Sequence, residues 1–238
     1  MSTLKEKTAK GLGWGFVDNF VGTGITAVVS ILLARILSPQ EFGLVGMIAI
    51  FISLGNSLMD SGFSGALIRK KDATDKDLST VFYTNLILSI VIYAILYLCA
   101  PAIGSFLGNS FLTTLLRVLA LSVVIMSFTQ VQKVNFIRKI DFRTQAIISL
   151  AASLVSGVVS IWMALKGCGV WSLVAQQLSK QAVVSLLLWV FSTWKPSFTF
   201  SFASFKEMFG FGSRLLACSL ISVIWNEIYS LVIGKMYN

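Results

Sequence analysis

The sequence predicts an all-α polytopic membrane protein, and three observations support this fold class. Hydrophobic residues make up 56% of the 238-residue chain and charged residues only 12%, whereas a soluble domain carries about 25% charged residues. The mean hydropathy is high, at +0.84. Seven apolar stretches meet or approach the length of about 20 residues that a helix needs to cross a bilayer. A water-soluble core could not bury this much apolar surface.

The seven predicted spans are helical, because a backbone in lipid must satisfy its hydrogen bonds internally. A membrane barrel would instead show short segments of alternating polarity. Pro39, Pro101 and Pro196 all fall at or near the ends of predicted spans. The fourth span is the weakest, since Arg117 lies near its start. The spans cover residues 16–33, 42–67, 81–103, 112–129, 147–165, 170–191 and 208–233.

Basic residues predict the orientation of these spans. With a cytoplasmic N-terminus, most of the 19 lysines and arginines lie on the inner side, as the positive-inside rule requires. The same positions argue against nucleic-acid binding, because the charges separate lipid-length segments and do not cover a solvated face. The inner residues are Lys5, Lys7, Lys10, Arg69, Lys70, Lys71, Lys76, Lys133, Arg138, Lys139, Arg143, Lys195 and Lys206. The outer residues are Arg35, Arg117, Lys166 and Lys235, and Lys180 and Arg214 lie within spans.

The composition also excludes several kinds of chemistry. The chain has no histidine, so imidazole-based catalysis and histidine-ligated metals are excluded. Asp75-Lys76-Asp77 has the spacing with which sugar-nucleotide transferases hold a divalent metal, but no nucleotide-binding fold surrounds it. We interpret that segment as a solvated loop. The composition therefore predicts a protein with no catalytic residue, no metal and no cofactor.

Polar residues recur at helical spacing within four of the spans. An ionisable group at mid-bilayer costs roughly 2.5–3.5 kcal/mol on insertion scales, so such groups tend to face a bundle interior or a water-filled cavity. Serine, threonine and glycine stripes also serve close helix packing, and we favour packing for the uncharged residues. The stripes are Asp18, Gly22, Thr26 and Ser30; Ser53, Asn56, Ser57, Asp60 and Ser64; Ser172, Gln176, Ser179 and Lys180; and Arg214, Cys218, Ser222 and Asn226. For the four charged residues we favour a cavity role. Glu227 lies nearly opposite Arg214 around its helix.

Two features suggest a repeat joined by a connector. Lys10 and Gly13-Trp14-Gly15 open the first span, and Lys206 and Gly210-Phe211-Gly212 open the seventh. Repeated halves are common in transporters, so the seventh helix is a candidate opening of a second half. Between the sixth and seventh spans, phenylalanine occupies alternate positions at residues 198, 200 and 202. A lone short strand would have no partner, and we interpret the segment as an interfacial connector.

Five motifs occur in order along the chain. They are Leu37-Ser38-Pro39-Gln40-Glu41-Phe42-Gly43, Asp60-Ser61-Gly62-Phe63 followed by Ala66-Leu67-Ile68-Arg69, Arg138-Lys139-Ile140-Asp141-Phe142-Arg143, Gly169-Val170-Trp171-Ser172-Leu173-Val174 and Ile233-Gly234-Lys235. In this order the chain resembles the polysaccharide flippases of the multidrug/oligosaccharidyl-lipid/polysaccharide exporter superfamily. The resemblance is to their Wzx-type, colanic-acid and lipopolysaccharide exporter branch.

The resemblance implies two six-helix lobes around a central cavity. Residues 1–194 would form the N-terminal lobe, residues 195–206 a cytoplasmic linker and residues 207–238 the first helix of a truncated second lobe. The implied function is export of an undecaprenyl-pyrophosphate-linked oligosaccharide across the bacterial cytoplasmic membrane by alternating access. The implied partners are this lipid-linked oligosaccharide, membrane lipids, a polysaccharide polymerase and glycosyltransferases.

The resemblance also gives the intramembrane polar residues their expected roles. The candidates for the substrate cavity are Asp18, Asn56, Asp60, Gln176, Lys180 and Arg214. Lys180 and Arg214 would neutralise pyrophosphate, and the others would contact sugar hydroxyls. Asp18, Asp60 and Glu227 are the candidates for a coupling ion. The alternatives are a drug or cation antiporter of the same superfamily, a membrane glycan polymerase or transferase, and an inactive fragment.

Overall fold

The structure, a computed structural model, describes residues 20–60, 62–70 and 72–236, without the side chains of residues 60, 211, 227–231 and 233–236. These ranges are helical almost throughout and contain no strand, so the predicted all-α class is confirmed. The helices are α1 (Phe20–Ile36), α2 (Pro39–Asp60), α3 (Phe63–Arg69), α4 (Asp75–Phe106), α5 (Phe111–Leu119), α6 (Leu121–Arg138), α7 (Phe142–Leu165), α8 (Trp171–Phe191) and α9 (Phe202–Met236).

The lengths and compositions of these helices make the chain a polytopic membrane protein. Within the described ranges, five helical segments are long and apolar enough to cross a bilayer, and α9 would be a sixth. Helix α9 bends by 46° between Phe202–Gly210 and Gly212–Asn226. Helix α1 is apolar but shorter, and residues 16–19 of the predicted first span lie outside the described part. The count of seven spans therefore stays a prediction.

Two predicted spans are interrupted and longer than expected. In the second, α2 ends at Asp60 and α3 begins at Phe63, and the fourth consists of α5 and α6, which meet at Ala120. Helix α6 continues to Arg138, well beyond the predicted end at residue 129. The extension tolerates polar residues because they bond to the chain after α8: the buried Gln132 donates through Nε2 to the carbonyl of Trp194 at 3.3 Å. The hydropathy pattern alone therefore predicts an end for this helix that is too early.

The helices group into two compact units, which are defined by their internal contacts. Unit 1 comprises Met1–Ser38 and Gln132–Lys195, and unit 2 comprises Pro39–Val131 and Pro196–Asn238. This grouping places α9 with α2, α3, α4 and α5. The division into an N-terminal lobe, a linker and a second lobe stays a prediction.

Unit 1 is built on the packing of α7 against α8. Phe136, Ile148 and Leu188 form its buried apolar cluster, which brings the end of α6 onto the same pair of helices. Helix α1 approaches α7 closely at Gly157, where a Cβ atom would lie 2.7 Å from Cγ2 of Val29. The small residue at this position therefore sets the distance between α1 and α7.

Unit 2 is centred on α2, which packs against α4, α5 and α9. Met59 of α2, Ile92 of α4 and Val123 at the start of α6 form a buried cluster. Pro39 opens α2, where its fixed φ angle suits the first helical position. The residues of the Leu-x-Pro motif thus form the short turn that separates α1 from α2.

The segment between α8 and α9 has no regular structure over residues 192–201. Its amide groups bond to α4: Ser197 N–H donates to Oγ of Ser79 at 3.1 Å, and Ser201 N–H donates to Oγ1 of Thr80 at 3.0 Å. Phe198 is 98% exposed. The segment forms no strand, and its role as an interfacial connector at the lipid headgroups stays a prediction.

Candidate functional site

A cavity of about 270 Å³ in unit 1 is lined by charged and polar residues from three helical segments that are long and apolar enough to cross a bilayer. Its lining comes from the end of α6, the first two turns of α7 and the second half of α8. The lining residues are Lys133, Ile137, Gln145, Ile148, Ser149, Lys180, Val184 and Leu188. Two lysines, a glutamine and a serine thus line one small cavity.

Lys180 lies near the middle of α8, where an unsolvated charge is costly. It is half-buried, and its Nζ donates to Oγ1 of Thr26 on α1 at 3.3 Å. The Thr26 hydroxyl in turn donates to the carbonyl of Gly22 at 2.8 Å. Because that bond occupies the threonine proton, the oxygen faces Lys180 as an acceptor. Helix α1 therefore orients the ammonium group of α8.

The opposite wall is fixed by the turn between α6 and α7. Asp141 caps α7: its carboxylate accepts from Thr144 N–H at 3.1 Å and from Thr144 Oγ1 at 2.8 Å. The next residue, Gln145, donates through Nε2 to the carbonyl of Lys133 at 3.1 Å. Asp141 of the Arg138–Arg143 motif thus caps α7, and the capped first turns of α7 place Gln145 in the cavity lining.

The electrostatics of the cavity favour an anion. Lys133 and Lys180 both line the cavity, and none of its lining residues in the described chain is acidic. Ile148 and Leu188 belong to the buried cluster beneath the cavity. A low-dielectric wall strengthens the attraction between an ammonium group and an anion relative to water. The arrangement suits a phosphate-type group with hydrogen-bonding neighbours.

Of the predicted site residues whose side chains the structure describes, only Lys180 lies in this cavity. Gln176 lies one turn earlier on α8 and is half-buried, but it is not part of the lining. Asn56 and Arg214 belong to unit 2. Asn56 is half-buried, and its Oδ1 is buried and accepts no hydrogen bond from the described residues. Arg214 is exposed on α9.

The remaining candidates cannot be placed, because Asp18 lies outside the described residues, as do the side chains of Asp60 and Glu227. Their expected roles, and the site roles of Asn56, Gln176 and Arg214, stay predictions.

Sequence reasoning missed Lys133, Gln145 and Ser149. Lys133 was counted among the inner-side charges because the fourth span was ended at residue 129. A helix that continues to Arg138 would have placed Lys133 and Ile137 one turn apart on one face. Lys180, Val184 and Leu188 show the same four-residue spacing on α8. This shared periodicity was the signal that could have found the cavity.

The interpretation of Asp75-Lys76-Asp77 as a solvated loop is wrong for Asp77, because this residue is only 2% exposed. Its carboxylate accepts from Thr74 N–H at 2.9 Å, and Thr74 Oγ1 accepts from Asp77 N–H in return, which forms a capping box at the start of α4. Burial follows from this capping role. In the described part of the chain, no group of three acidic, cysteine or histidine residues could hold a metal.

Comparison with known proteins identifies relatives along nearly the whole chain. The model of a family described as "Polysaccharide biosynthesis protein" matches residues 32–238. The chain is 27% identical over 236 residues to the lipopolysaccharide biosynthesis protein WzxC of Escherichia coli, covering 98% of this chain and 48% of WzxC. It is 26% identical over 234 residues to the succinoglycan biosynthesis transport protein ExoT of Rhizobium meliloti, covering 98% and 47%.

A third relative, the teichuronic acid biosynthesis protein TuaB of Bacillus subtilis, is 27% identical over 238 residues, covering 99% of this chain and 49% of TuaB. The chain thus spans about half the length of the curated relatives that it matches. No solved structure matches it.

Proposed function

Since the chain belongs to the polysaccharide biosynthesis protein family, whose model matches residues 32–238, we propose that it acts in the export of a lipid-linked oligosaccharide across the bacterial cytoplasmic membrane. The substrate would be a glycan attached to a polyprenyl pyrophosphate of the undecaprenyl type. The protein would move this lipid without covalent chemistry. The names of WzxC, ExoT and TuaB support a role in surface-glycan biosynthesis, and they refer to three different glycans.

The observation that carries the proposal is the pair of lysines in one cavity of unit 1. A pyrophosphate headgroup cannot cross hydrocarbon unaided, because an ion loses several kcal/mol of solvation there, about the magnitude found for charged side chains. Lys180 and Lys133 would neutralise part of that charge, and Gln145 and Ser149 would donate hydrogen bonds to phosphate or sugar oxygens. The polyprenyl tail would stay in the lipid.

The same cavity supports glycan export over the alternative of a drug or cation antiporter. A cationic cargo requires carboxylates or aromatic faces, whereas this cavity supplies two ammonium groups. A membrane glycan polymerase or transferase would need an acid–base pair or a metal site. The one sequence motif with metal spacing serves as a helix cap at Asp77.

Movement of the substrate is proposed to follow alternating access. Such transporters rock two halves about a binding site near the membrane midplane. With the N-terminus in the cytoplasm, the start of α4 and the connector before α9 would both lie on the inner side, and the outer side would include Arg117 and Lys166. A polysaccharide polymerase and glycosyltransferases are the proposed partners at the two faces.

The function is tested by deleting the gene in a bacterium that carries no second exporter. We expect the carrier-linked glycan to accumulate on the cytoplasmic face and the surface glycan to fall at least tenfold, since an ionic headgroup does not cross the bilayer at a useful rate. Lectin binding to membrane vesicles of the two orientations measures how the carrier-linked glycan is distributed between the cytoplasmic and outer faces. Unchanged outward delivery would contradict the proposal.

The same strain separates the alternatives. Sensitivity to cationic toxicants with intact glycan delivery would indicate the antiporter. Failure of glycan synthesis in vesicles that are supplied with substrate would indicate an enzyme.

A further inference from the structure

An ion network in unit 2 joins Lys70 and the first turn of α4 to Glu207, near the start of α9. Nζ of Lys70 lies 2.9 Å from Oε2 of Glu207 and 3.3 Å from Oδ1 of Asp77. Lys70 follows α3, Asp77 belongs to the first turn of α4 and Glu207 belongs to α9. One ammonium group thus bridges two carboxylates that lie 130 positions apart in the chain.

The two halves of this network differ in their exposure. The Asp77 side chain is 3% exposed, and it also bonds to Thr74 through the capping box and to Ser204. The Glu207 side chain is 62% exposed. Water and salt screen an exposed pair much more than a buried one. The Lys70–Asp77 contact is therefore the permanent half, and the Lys70–Glu207 contact is the half that can open.

The protonation of Lys70 does not limit the network at neutral pH. The hydrogen bond with Glu207, helped by the two carboxylate charges, raises the pKa of Lys70 above its ordinary value of 10.5. A raised pKa of a base means that its stabilising charge is fully present below the ordinary value and is lost only as the pH rises through the raised one. The ammonium group is thus present throughout the physiological range.

A second observation, independent of the charges, concerns the crossing of α9 over the break between α2 and α3. Gly62 has a φ angle of 69°, and a Cβ atom there would lie 2.6 Å from the carbonyl oxygen of Gly212 and 2.8 Å from its Cα. Helix α9 bends by 46° at residues 210–212, beside the same point. Two helices are therefore interrupted where their backbones touch, and interrupted helices of this kind serve as hinges.

Around this crossing, aromatic contacts hold the first turns of α9. The Phe63 ring lies 5.9 Å from the Phe205 ring and 6.4 Å from the Phe209 ring, measured between centroids. Phe205 and Phe209 stack at 5.6 Å. These apolar contacts can slide without leaving a buried charge unpaired, unlike an ion pair that is sealed from water. The contact that can open most easily is therefore the exposed ion pair between Lys70 and Glu207.

We propose that Lys70, Asp77 and Glu207 form a cytoplasmic latch, in which the Lys70–Glu207 contact opens and closes as α9 swings about the Gly62–Gly212 crossing during each transport cycle. The inference rests on the proposed function for the transport cycle. The latch holds the start of α9 against α3 and α4. Because the Glu207 side chain is exposed to solvent, opening the Lys70–Glu207 contact costs little free energy.

The latch is tested by cross-linking its two sides in the full-length gene product. In a background with the three native cysteines replaced by serine, Lys70→Cys/Glu207→Cys is treated with a reducible bifunctional thiol reagent. We expect glycan delivery to fall at least tenfold after cross-linking and to recover after reduction. The single variants with the same reagent are the controls. Delivery that is unchanged in a fully cross-linked sample would overturn the proposal.

A second measurement needs no transport and no cysteines. Hydrogen exchange of residues 202–210 in the purified protein should accelerate up to about fivefold in Glu207→Gln, as expected for the loss of an exposed ion pair, and should not change in Lys206→Gln. Equal exchange in both variants and the parent protein would contradict the latch. If the parent protein delivers no glycan but the exchange result holds, the proposed function fails and the latch contact stands.

Discussion

Glycan export should fall about 10- to 100-fold when Lys180 is replaced by methionine, while the amount of folded protein stays the same. A hydrogen bond to a charged group contributes roughly 1.5–3 kcal/mol, which corresponds to this range of rates. Methionine has a similar length and no charge, so its insertion into the membrane costs less than that of lysine. The measurement is delivery of surface glycan, normalised to the protein in the membrane.

The control for this variant is Lys195→Met, which removes the same charge from an exposed position on the connector. It should leave export within twofold of the parent. Lys180→Arg keeps the charge and should restore much of the activity. Normal export in Lys180→Met would show that the cavity of unit 1 does not carry the substrate.

The second large effect is expected for Gly62→Ala, which should prevent unit 2 from folding normally. A residue with a Cβ atom pays about 1–2 kcal/mol for the left-handed backbone, and overpacking adds typically 1–3 kcal/mol. The overpacking arises because the new Cβ atom would lie 2.6 Å from the Gly212 carbonyl oxygen, and a backbone atom cannot move aside as a side chain does. The melting temperature of the purified protein measures the effect.

Gly46→Ala is the matched control, since no neighbouring atom lies within 4 Å of a Cβ atom at that position of α2. Alanine is the better helix former by roughly 0.5–1 kcal/mol, so this variant should be as stable as the parent or slightly more stable. Equal melting temperatures for Gly62→Ala and Gly46→Ala would contradict the close backbone contact between Gly62 and Gly212.

The fold class could be predicted because lipid leaves so few alternatives. A chain with apolar runs of this length must form helices, and the motif residues Pro39 and Asp141 mark where helices begin. The ends of helices were harder to predict. Polar residues after residue 129 indicated the end of a span, yet α6 continues because Gln132 bonds to a carbonyl 62 positions away. A contact at that distance in the chain leaves no local signal.

The site was predictable only in part, for the same reason. Lys180 stood out because a charge in the middle of an apolar segment is costly wherever the segment packs. Lys133 did not, because its importance depends on the approach of α6 to α8. Asp77 was misread because a local spacing of two carboxylates does not reveal that one of them caps a helix and meets Lys70. Tertiary contacts decided each of these cases.

The glycines show what a motif can encode beyond side-chain chemistry. Gly62 belongs to the Asp60-Ser61-Gly62-Phe63 motif, and Gly212 belongs to the Gly210-Phe211-Gly212 segment of the suggested repeat. In the structure they are one feature, since a Cβ atom on Gly62 would lie 2.6 Å from the carbonyl oxygen of Gly212. Their roles follow from backbone distance, which sequence alone does not supply.

The central claim is that Lys133 and Lys180 bind the pyrophosphate headgroup of a lipid-linked glycan. Its most direct test is the affinity of the purified full-length gene product for undecaprenyl pyrophosphate in detergent, compared with that of Lys133→Gln/Lys180→Gln. We predict saturable binding by the parent protein and a loss of affinity of at least tenfold in the double variant, because two charge-assisted contacts are removed. Equal affinities, or no binding by the parent protein, would contradict the claim.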